Sequence, residues 1–231
     1  MAPGIVVAID GPAGSGKSSV SRAVATRLGF RYLDTGAMYR AVTWAAVQAG
    51  LDPDDGEAIA TWITGPTAPT IRSGTDPGHP SIDVDGIDVS SPIRSAEVTA
   101  NVSAVSAVPQ VRTFLVESQR AEAASASPGI VLEGRDIGSV VLPAADVKIF
   151  LTADPAVRAQ RRAAEVAPSS DAATVAATEK ALLARDEKDS TRAVSPLTKA
   201  DGAVEVDTTS LSFEEVVDAV IDVVREQERS R

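Results

Sequence analysis

The sequence predicts an α/β fold in which a central parallel β-sheet is flanked by helices, with a small antiparallel β insert and a short lid. Three observations carry that reading. Ile5-Val6-Val7-Ala8-Ile9, Ile130-Val131-Leu132 and Val147-Lys148-Ile149-Phe150-Leu151 are short, nearly continuous apolar runs, the pattern of strands buried on both faces. Helical segments separate the strand candidates, and that alternation gives a parallel sheet covered on both sides. Residues 65–92, rich in Gly, Pro, Ser and Thr, interrupt the alternation with a pattern of their own.

In chain order, residues 5–9 form the first strand, and glycine-rich residues 11–16 follow it. A helix then runs from Lys17 to Leu28. Residues 30–33 are a second strand, and residues 37–49 a helix closed by Gly50. Within the insert, Ile82-Asp83-Val84-Asp85-Gly86-Ile87-Asp88-Val89 alternates apolar and acidic residues around an Asp-Gly turn, which signals a β-hairpin. The insert, 65–92, divides a core made of residues 1–64 and 93–231, with the lid near 155–170. Residues 95–124 are helical with a break near Pro109. Pro155 suits the first turn of a helix, with Asp154 as its cap. Residues 172–188 form another helix and residues 203–206 the last strand. Ser212 with Glu215 makes a capping-box pattern, and Phe213, Val216, Val220 and Val224 fall on one apolar face. The tail after Arg225 is expected to fray.

Composition narrows the function classes. The 231 residues suffice for one sizeable core, and 44% hydrophobic with 23% charged residues is ordinary for a soluble protein. The absence of cysteine excludes a disulfide framework and a thiolate metal centre, and fits a reducing cytoplasm. The lone His79, between Gly78 and Pro80, reads as a surface-loop residue. No basic leader and no apolar run of membrane length is present, so no membrane partner is expected. A net charge of −10 disfavours nucleic acid as a partner. A cytoplasmic monomer is expected. An anionic small substrate stays open if arginines gather at one place.

Gly11-Pro12-Ala13-Gly14-Ser15-Gly16-Lys17-Ser18 matches G-x-x-x-x-G-K-[ST] between a buried strand and a helix, with Ser19 next in line. Glycines let backbone N–H groups turn inward around a phosphate, and the helix directs its positive end at the same charge. Lys17 reaches the outer phosphates and the Ser18 hydroxyl can hold Mg²⁺. Lys17 opens a solvent-facing loop in this reading and should lie outside the core. ATP with Mg²⁺ is the expected donor.

Such a loop leaves the chemistry open among a small-molecule kinase, a GTPase switch and a nucleotide-binding module without turnover. Asp83-Val84-Asp85-Gly86 fits D-x-x-G and Thr198-Lys199-Ala200-Asp201 resembles T-K-x-D. Both are poorly placed for guanine nucleotides, one in a hairpin turn and the other following no strand.

The kinase reading gains from the surroundings. Asp34-Thr35-Gly36-Ala37-Met38-Tyr39-Arg40 follows the second strand, so Thr35 and Arg40 would face a second ligand. A guanidinium there can clamp an acceptor phosphate in line. Glu133-Gly134-Arg135-Asp136-Ile137-Gly138 follows another buried strand, where open parallel sheets bind ligands. Arg135 beside Asp136 has a plainer reading as a surface ion pair. Arg158, Arg161 and Arg162 start a helix where cations oppose the dipole, which favours a lid over nucleotide phosphates. Arg185, Asp189 and Arg192 share one helix face if the helix persists that far.

With these motifs in view, nearly the whole chain resembles the bacterial cytidylate kinases, P-loop kinases of nucleoside monophosphates. The resemblance rests on the phosphate loop, on residues 34–40, and on Ser103 nine residues before Arg112. It also rests on Gly134-Arg135-Asp136-Ile137-Gly138, residues 147–151, and Arg185-Asp186 to Arg192-Ala193-Val194. The insert looks like the family's enlarged monophosphate-binding region. The resemblance implies phosphorylation of CMP, and of dCMP, by ATP. It implies that Thr35, Arg40, Arg135 and Arg192 hold the CMP phosphate. Ser103, Arg112 and Asp136 would surround cytosine, and Arg185 and Asp189 would meet the ribose. Arg158 and Arg162 look like lid residues acting with Lys17 and Arg135 in catalysis. Two departures are Thr35, where Ser is common, and residues 166–174, rich in Ala, Pro and Ser where basic residues are expected.

Overall fold

The computed structural model describes residues 4–166, 171–192 and 195–230. Its strands form two sheets. In the larger, the order is β2 (Arg31–Asp34), β6 (Gly129–Gly134), β1 (Ile5–Asp10), β7 (Val147–Thr152) and β8 (Val204–Asp207). All neighbours run parallel, with Val7 opposite Val131 on one side and Val147 on the other. Side-chain alternation along β1 and β6 decides which layer each residue serves. Val7, Ile9 and Val131 pack with Val20 and Val24 of α1 (Lys17–Leu28) and Val216, Val220 and Val224 of α8 (Phe213–Arg229). Ala8, Ile130 and Leu132 face the other layer. That layer holds α2 (Thr35–Gln48), α3 (Gly56–Thr64), α4 (Ala96–Ala107) and α5 (Pro109–Ala124). Burying each Val, Leu or Ile side chain in such a core contributes roughly 1.5–3 kcal/mol. The remaining two helices, α6 (Pro155–Val166) and α7 (Ala172–Ser190), pair beside the phosphate loop.

The smaller sheet is the insert, antiparallel in the order β3 (Ile71–Ser73), β4 (Ile82–Val84) and β5 (Ile87–Asp88). Asp85 and Gly86 both have positive φ, 53° and 81°, as a two-residue hairpin turn requires. The loop between β3 and β4 returns to the core. Thr75 accepts a hydrogen bond from the Tyr32 N–H at 2.9 Å, and Pro77 accepts one from Arg22 Nε at 3.1 Å. Thr75 thus covers the open edge of β2, an edge that would otherwise present an unpaired backbone.

The strand and hairpin expectations agree with these elements, and the capping box at Ser212 and Glu215 is formed. Three details differ. Helix α3 is not among the expected elements; Asp55 caps it by accepting from the Ala58 N–H, and Ile59 and Ile63 anchor it. Helix α8 continues to Arg229, well past the expected fraying point. Phe213, placed on the apolar face by spacing, is 47% exposed, and Val217 and Ile221 fill the stripe instead. The lid stretch 167–170 and Ala193-Val194 lie outside the described residues.

Candidate active site

The site forms at the carboxyl ends of β1, β2 and β6. β1 runs straight into the phosphate loop. A Cβ on Gly11 would lie 2.1 Å from the Leu151 carbonyl oxygen, so only glycine lets the loop leave the sheet there. Gly16, with φ 88°, caps α1 in the left-handed region. The loop is held from outside. Arg135 Nη1 donates to the Gly11 carbonyl at 2.6 Å, and Lys17 Nζ donates to the Pro12 carbonyl at 2.8 Å. Ala13 is gripped at both backbone groups: Arg158 Nη1 donates to its carbonyl at 2.9 Å, and its N–H donates to Asp186 at 3.0 Å.

Lys17 is 9% exposed, so the expectation that it stands in solvent is corrected. The loop folds back over its aliphatic stem. Burial, with Arg135 adding repulsion, holds its ammonium well below the usual lysine range.

Beyond the loop lies a cavity of about 260 Å³. Seven arginines and Lys17 line it, against Asp34, Glu133, Asp136 and Asp189. In a chain of net charge −10 this is a local inversion of sign. Thr35, Arg40, Ser103, Arg112, Arg135, Asp136, Arg185, Asp189 and Arg192 all line this one cavity, although they come from four helices, a strand end and, for Arg192, the chain just past α7. Helix α7 ends at Ser190 and so does not carry all of Arg185, Asp189 and Arg192 on one helix face.

Asp34 caps α2 by accepting from the Ala37 N–H at 2.8 Å, and this fixes the turn that carries Thr35, Tyr39 and Arg40. Thr35 donates its hydroxyl to the Glu133 carbonyl at 2.6 Å. Arg40 Nη1 donates to Thr99 Oγ1 at 2.8 Å and to the Ile93 carbonyl at 3.1 Å. Asp189, 3% exposed, sits among three guanidiniums: Arg135 at 2.9 Å, Arg192 at 3.9 Å and Arg185 at 4.0 Å. One carboxylate cannot balance three cations. Arg185 Nε and Arg192 Nη2 are buried and make no hydrogen bond. Burial, then neighbouring cations, lowers Arg40 and Arg185 to about 10. Crowded guanidiniums with unpaired donors are the chemistry that binds a phosphate or carboxylate.

Arg112 pairs with Asp136 in the interior, both about 5% exposed, and its guanidinium lies 5.3 Å from the centre of the Tyr39 ring. Arg135 turns to Asp189 and Gly11, so the alternative of an Arg135–Asp136 surface pair is corrected: both residues are engaged elsewhere and Asp136 is buried.

The cytidylate kinase family model matches residues 7–226. The chain belongs to the cytidylate kinase family. A cytidylate kinase of Streptomyces avermitilis is 56% identical over 229 residues, covering 99% of this chain and 96% of its own. One of Nocardia farcinica is 52% identical over 223 residues, covering 96% and 94%. Among solved structures, the shikimate kinase of Acinetobacter baumannii in complex with shikimate aligns with 97% of this chain and 95% of its own. Its TM-score is 0.47 at 13% identity, a likeness that carries no argument about substrate.

The three arginines that open α6, read together as lid residues, diverge. Arg158 is 5% exposed and binds the carbonyls of Ala13 and Ala153 as well as Asp186, behind the phosphate loop. Arg161 donates to the hydroxyl and carbonyl of Thr208, tying α6 to the end of β8. Arg162 alone of the three lines the cavity. The guanine-type patterns are dispersed: Asp85-Gly86 forms the hairpin turn, and Lys199 pairs with Glu205 at the surface. His79 is an exposed loop residue, as expected.

Glu133 and Ser106 belong to the site without any motif that marks them. Ser106 stands one turn past Ser103 and accepts from Arg192 Nη1 at 3.5 Å. Glu133 is the penultimate residue of β6, the strand position from which its buried carboxylate meets the phosphate loop. It accepts from Tyr32 and, at 3.0 Å, from Ser18 Oγ. Burial and the nearby Asp34 push its carboxyl up to about 7. A buried carboxylate held this high, against a hydroxyl, is a hard oxygen donor pair that a divalent cation would stabilise. Ser18 and Glu133 are therefore the residues that could hold a divalent cation.

Proposed function

We infer that this chain transfers the γ-phosphoryl group of ATP to CMP, and to dCMP, forming the nucleoside diphosphate and ADP. The observation that carries this is the meeting of two phosphate-reading sets in one cleft. One is the phosphate loop with Lys17. The other is the Arg40, Arg135, Arg185 and Arg192 cluster, whose cations exceed its single carboxylate. Loop amides and Lys17 would take the ATP phosphates; Thr35 and the arginine cluster would take the CMP phosphate and ribose. Ser103, Arg112 and Asp136 would read the base.

The acceptor phosphate oxygen is already anionic, so no strong base is needed. Catalysis then consists of alignment and of stabilising spread charge. Arg135 touches both halves, through Gly11 and Asp189, and suits the middle of the transferred charge. Arg158, locked behind the loop, positions it; Arg162 faces the phosphates. Ser18 and Glu133 would hold Mg²⁺, which supplies charge neutralisation to the ATP phosphates. The insert, which borders a second cavity of about 430 Å³ sharing Ser18, Asp34 and Arg162, would close on the acceptor and exclude water. ADP release measured with CMP, dCMP, UMP, AMP, GMP and non-nucleotide acceptors tests the reading. CMP is expected to be preferred; a preference for another acceptor class would overturn it.

A further inference from the structure

Asp10, the last residue of β1, lies outside both phosphate-reading sets, yet it is 3% exposed and fully engaged. Its Oδ1 accepts the Ile137 N–H and its Oδ2 accepts the Gly138 N–H, each at 2.8 Å. These two amides open the single π-helical turn Ile137–Val141, directly after Arg135 and Asp136. Asp136 itself has φ −148° and ψ 25°, outside helix and strand alike, so the turn does not set its conformation by regular pairing. The same junction is tied a second time, by Arg135 donating to Gly11, the residue after Asp10.

We propose that Asp10 is a positioning residue for the acceptor nucleotide: its carboxylate straps the 134–138 turn to the root of the phosphate loop. It thereby sets where Arg135 and Asp136 stand relative to the donor phosphates. The physical case is one of satisfaction and rigidity. Two adjacent buried N–H groups need two acceptors, and a carboxylate offers both oxygens at once. An ionised acceptor makes the stronger bonds, and buried donors left without one cost more than the bonds themselves contribute. Hydrophobic contacts hold Ile137 and Val141, and Arg120 donates to the Val140 and Val141 carbonyls at the far end of the turn, so the Asp10 bonds fasten its near end, beside Arg135 and Asp136, to β1. The backbone of Asp10 is held separately by strand pairing with Gly134 and Phe150, so the phosphate loop keeps its root when the side chain changes.

This inference rests on the assignment of Arg135 and Asp136 to the acceptor, and its test separates the two. Asp10→Asn keeps shape but can accept only one of the two N–H groups and faces the other with a donor. The expected result is a CMP KM raised about tenfold with reduced kcat, from one unpaired buried donor, while the ATP KM stays nearly constant. Unchanged CMP constants, or equal shifts for both substrates, would overturn the proposal. Arg135→Gln and Asp136→Asn serve as references. If they impair CMP use and Asp10→Asn does not, only the role of Asp10 falls. If neither impairs CMP use, the acceptor assignment falls and takes this inference with it. Amide exchange in the unsubstituted protein tests the strap without any variant. The Ile137 and Gly138 N–H groups should be protected before CMP is added, and exchange at the rate of open loops would overturn the proposal.

Discussion

Arg158 and Asp186 hold the two ends of one peptide residue. Arg158 donates to the Ala13 carbonyl at 2.9 Å, Asp186 accepts the Ala13 N–H at 3.0 Å, and the two side chains pair with each other. The α6–α7 pair is thus clipped to the middle of the phosphate loop. A charge placed where it opposes the dipole of α6 is explained by what it grips rather than by the helix it sits on.

Arg158→Ala should therefore act on stability and on ATP binding together. It strands a carboxylate that is 15% exposed and a loop carbonyl. Removing one partner of such a pair costs about 3 kcal/mol or more. Denaturant unfolding should show that loss, and ATP KM should rise while CMP KM moves less. Adding Asp186→Ala should cost much less than the sum of the two single changes, since the stranded charge is gone. Strict additivity would mean the clip carries no energy.

Lys17→Ala should separate turnover from folding. Lys17 is buried against the loop it serves, with its charge held at a cost by burial and by Arg135. Deleting that charge relieves the ligand-free protein, so its unfolding midpoint should hold or rise. Turnover loses a cation aimed at developing phosphate charge, worth about 3 kcal/mol, or more than a hundredfold in kcat. Normal turnover would falsify the loop assignment.

What the sequence made legible follows from how local each signal is. The β1–loop–α1 unit is encoded within residues 5–28, and α1 spans the residues that helix start and stop signals mark. The hairpin at Asp85-Gly86 is equally local. The ion-pair pattern was not legible, because it depends on which strand ends adjoin. Arg135 has Asp136 as its chain neighbour, yet it meets Asp189, 54 residues away, while Asp136 meets Arg112. Arg158, Arg161 and Arg162 read as one cluster in sequence and diverge because helical rotation aims each at a different element. Glu133 carries no local signal, because a lone acidic residue after an apolar run resembles a strand end leaving the core; the parallel pairing of β6 beside β1 brings it under the phosphate loop.

Glu133→Gln should stabilise the ligand-free protein in a pH-dependent way. Burial pushes the folded-state carboxyl from 4.5 up to about 7. Between those values the folded chain keeps a proton that the unfolded chain has released. The favourable contribution of Glu133 is thus complete below pH 4.5 and is lost as pH rises through 7. Glutamine cannot lose it. The variant should gain on the unsubstituted protein from pH 4.5 to 7 and hold about 1–2 kcal/mol above, within the limit set by 1.36 kcal/mol per pK unit. Its activity should fall, because Mg²⁺ would lose an anionic ligand. Unfolding curves at pH 5 and pH 8 check this; an equal difference at both would show that the buried charge is not the cause.

Base choice should rest on Asp136. Its Oδ2 receives the Arg112 guanidinium, which is itself held over the Tyr39 ring. Among the described residues Arg112 is the one hydrogen-bond partner of the Asp136 side chain, and Asp136 lines the cavity. The second carboxylate oxygen is thus available to accept from the 4-amino group of cytosine. Uracil presents a carbonyl at that position, and two acceptors would face each other in a pocket with little water. A buried group left unpaired costs about 1–3 kcal/mol, more when charged. Polar sites of this kind discriminate by up to ~10⁴. Arg112 and Ser103 offer donors that soften the mismatch, so a clear but incomplete preference for CMP over UMP is expected. Asp136→Asn can keep its carbonyl on Arg112 and turn its amide toward the base, where it donates to uracil. It should lower kcat/KM for CMP and narrow the CMP-to-UMP ratio. The ratio, measured with both acceptors at saturating ATP, distinguishes the base reader from a mere anchor for Arg112. An anchor would lose both substrates by the same factor, because misplacing Arg112 changes the pocket without favouring either base.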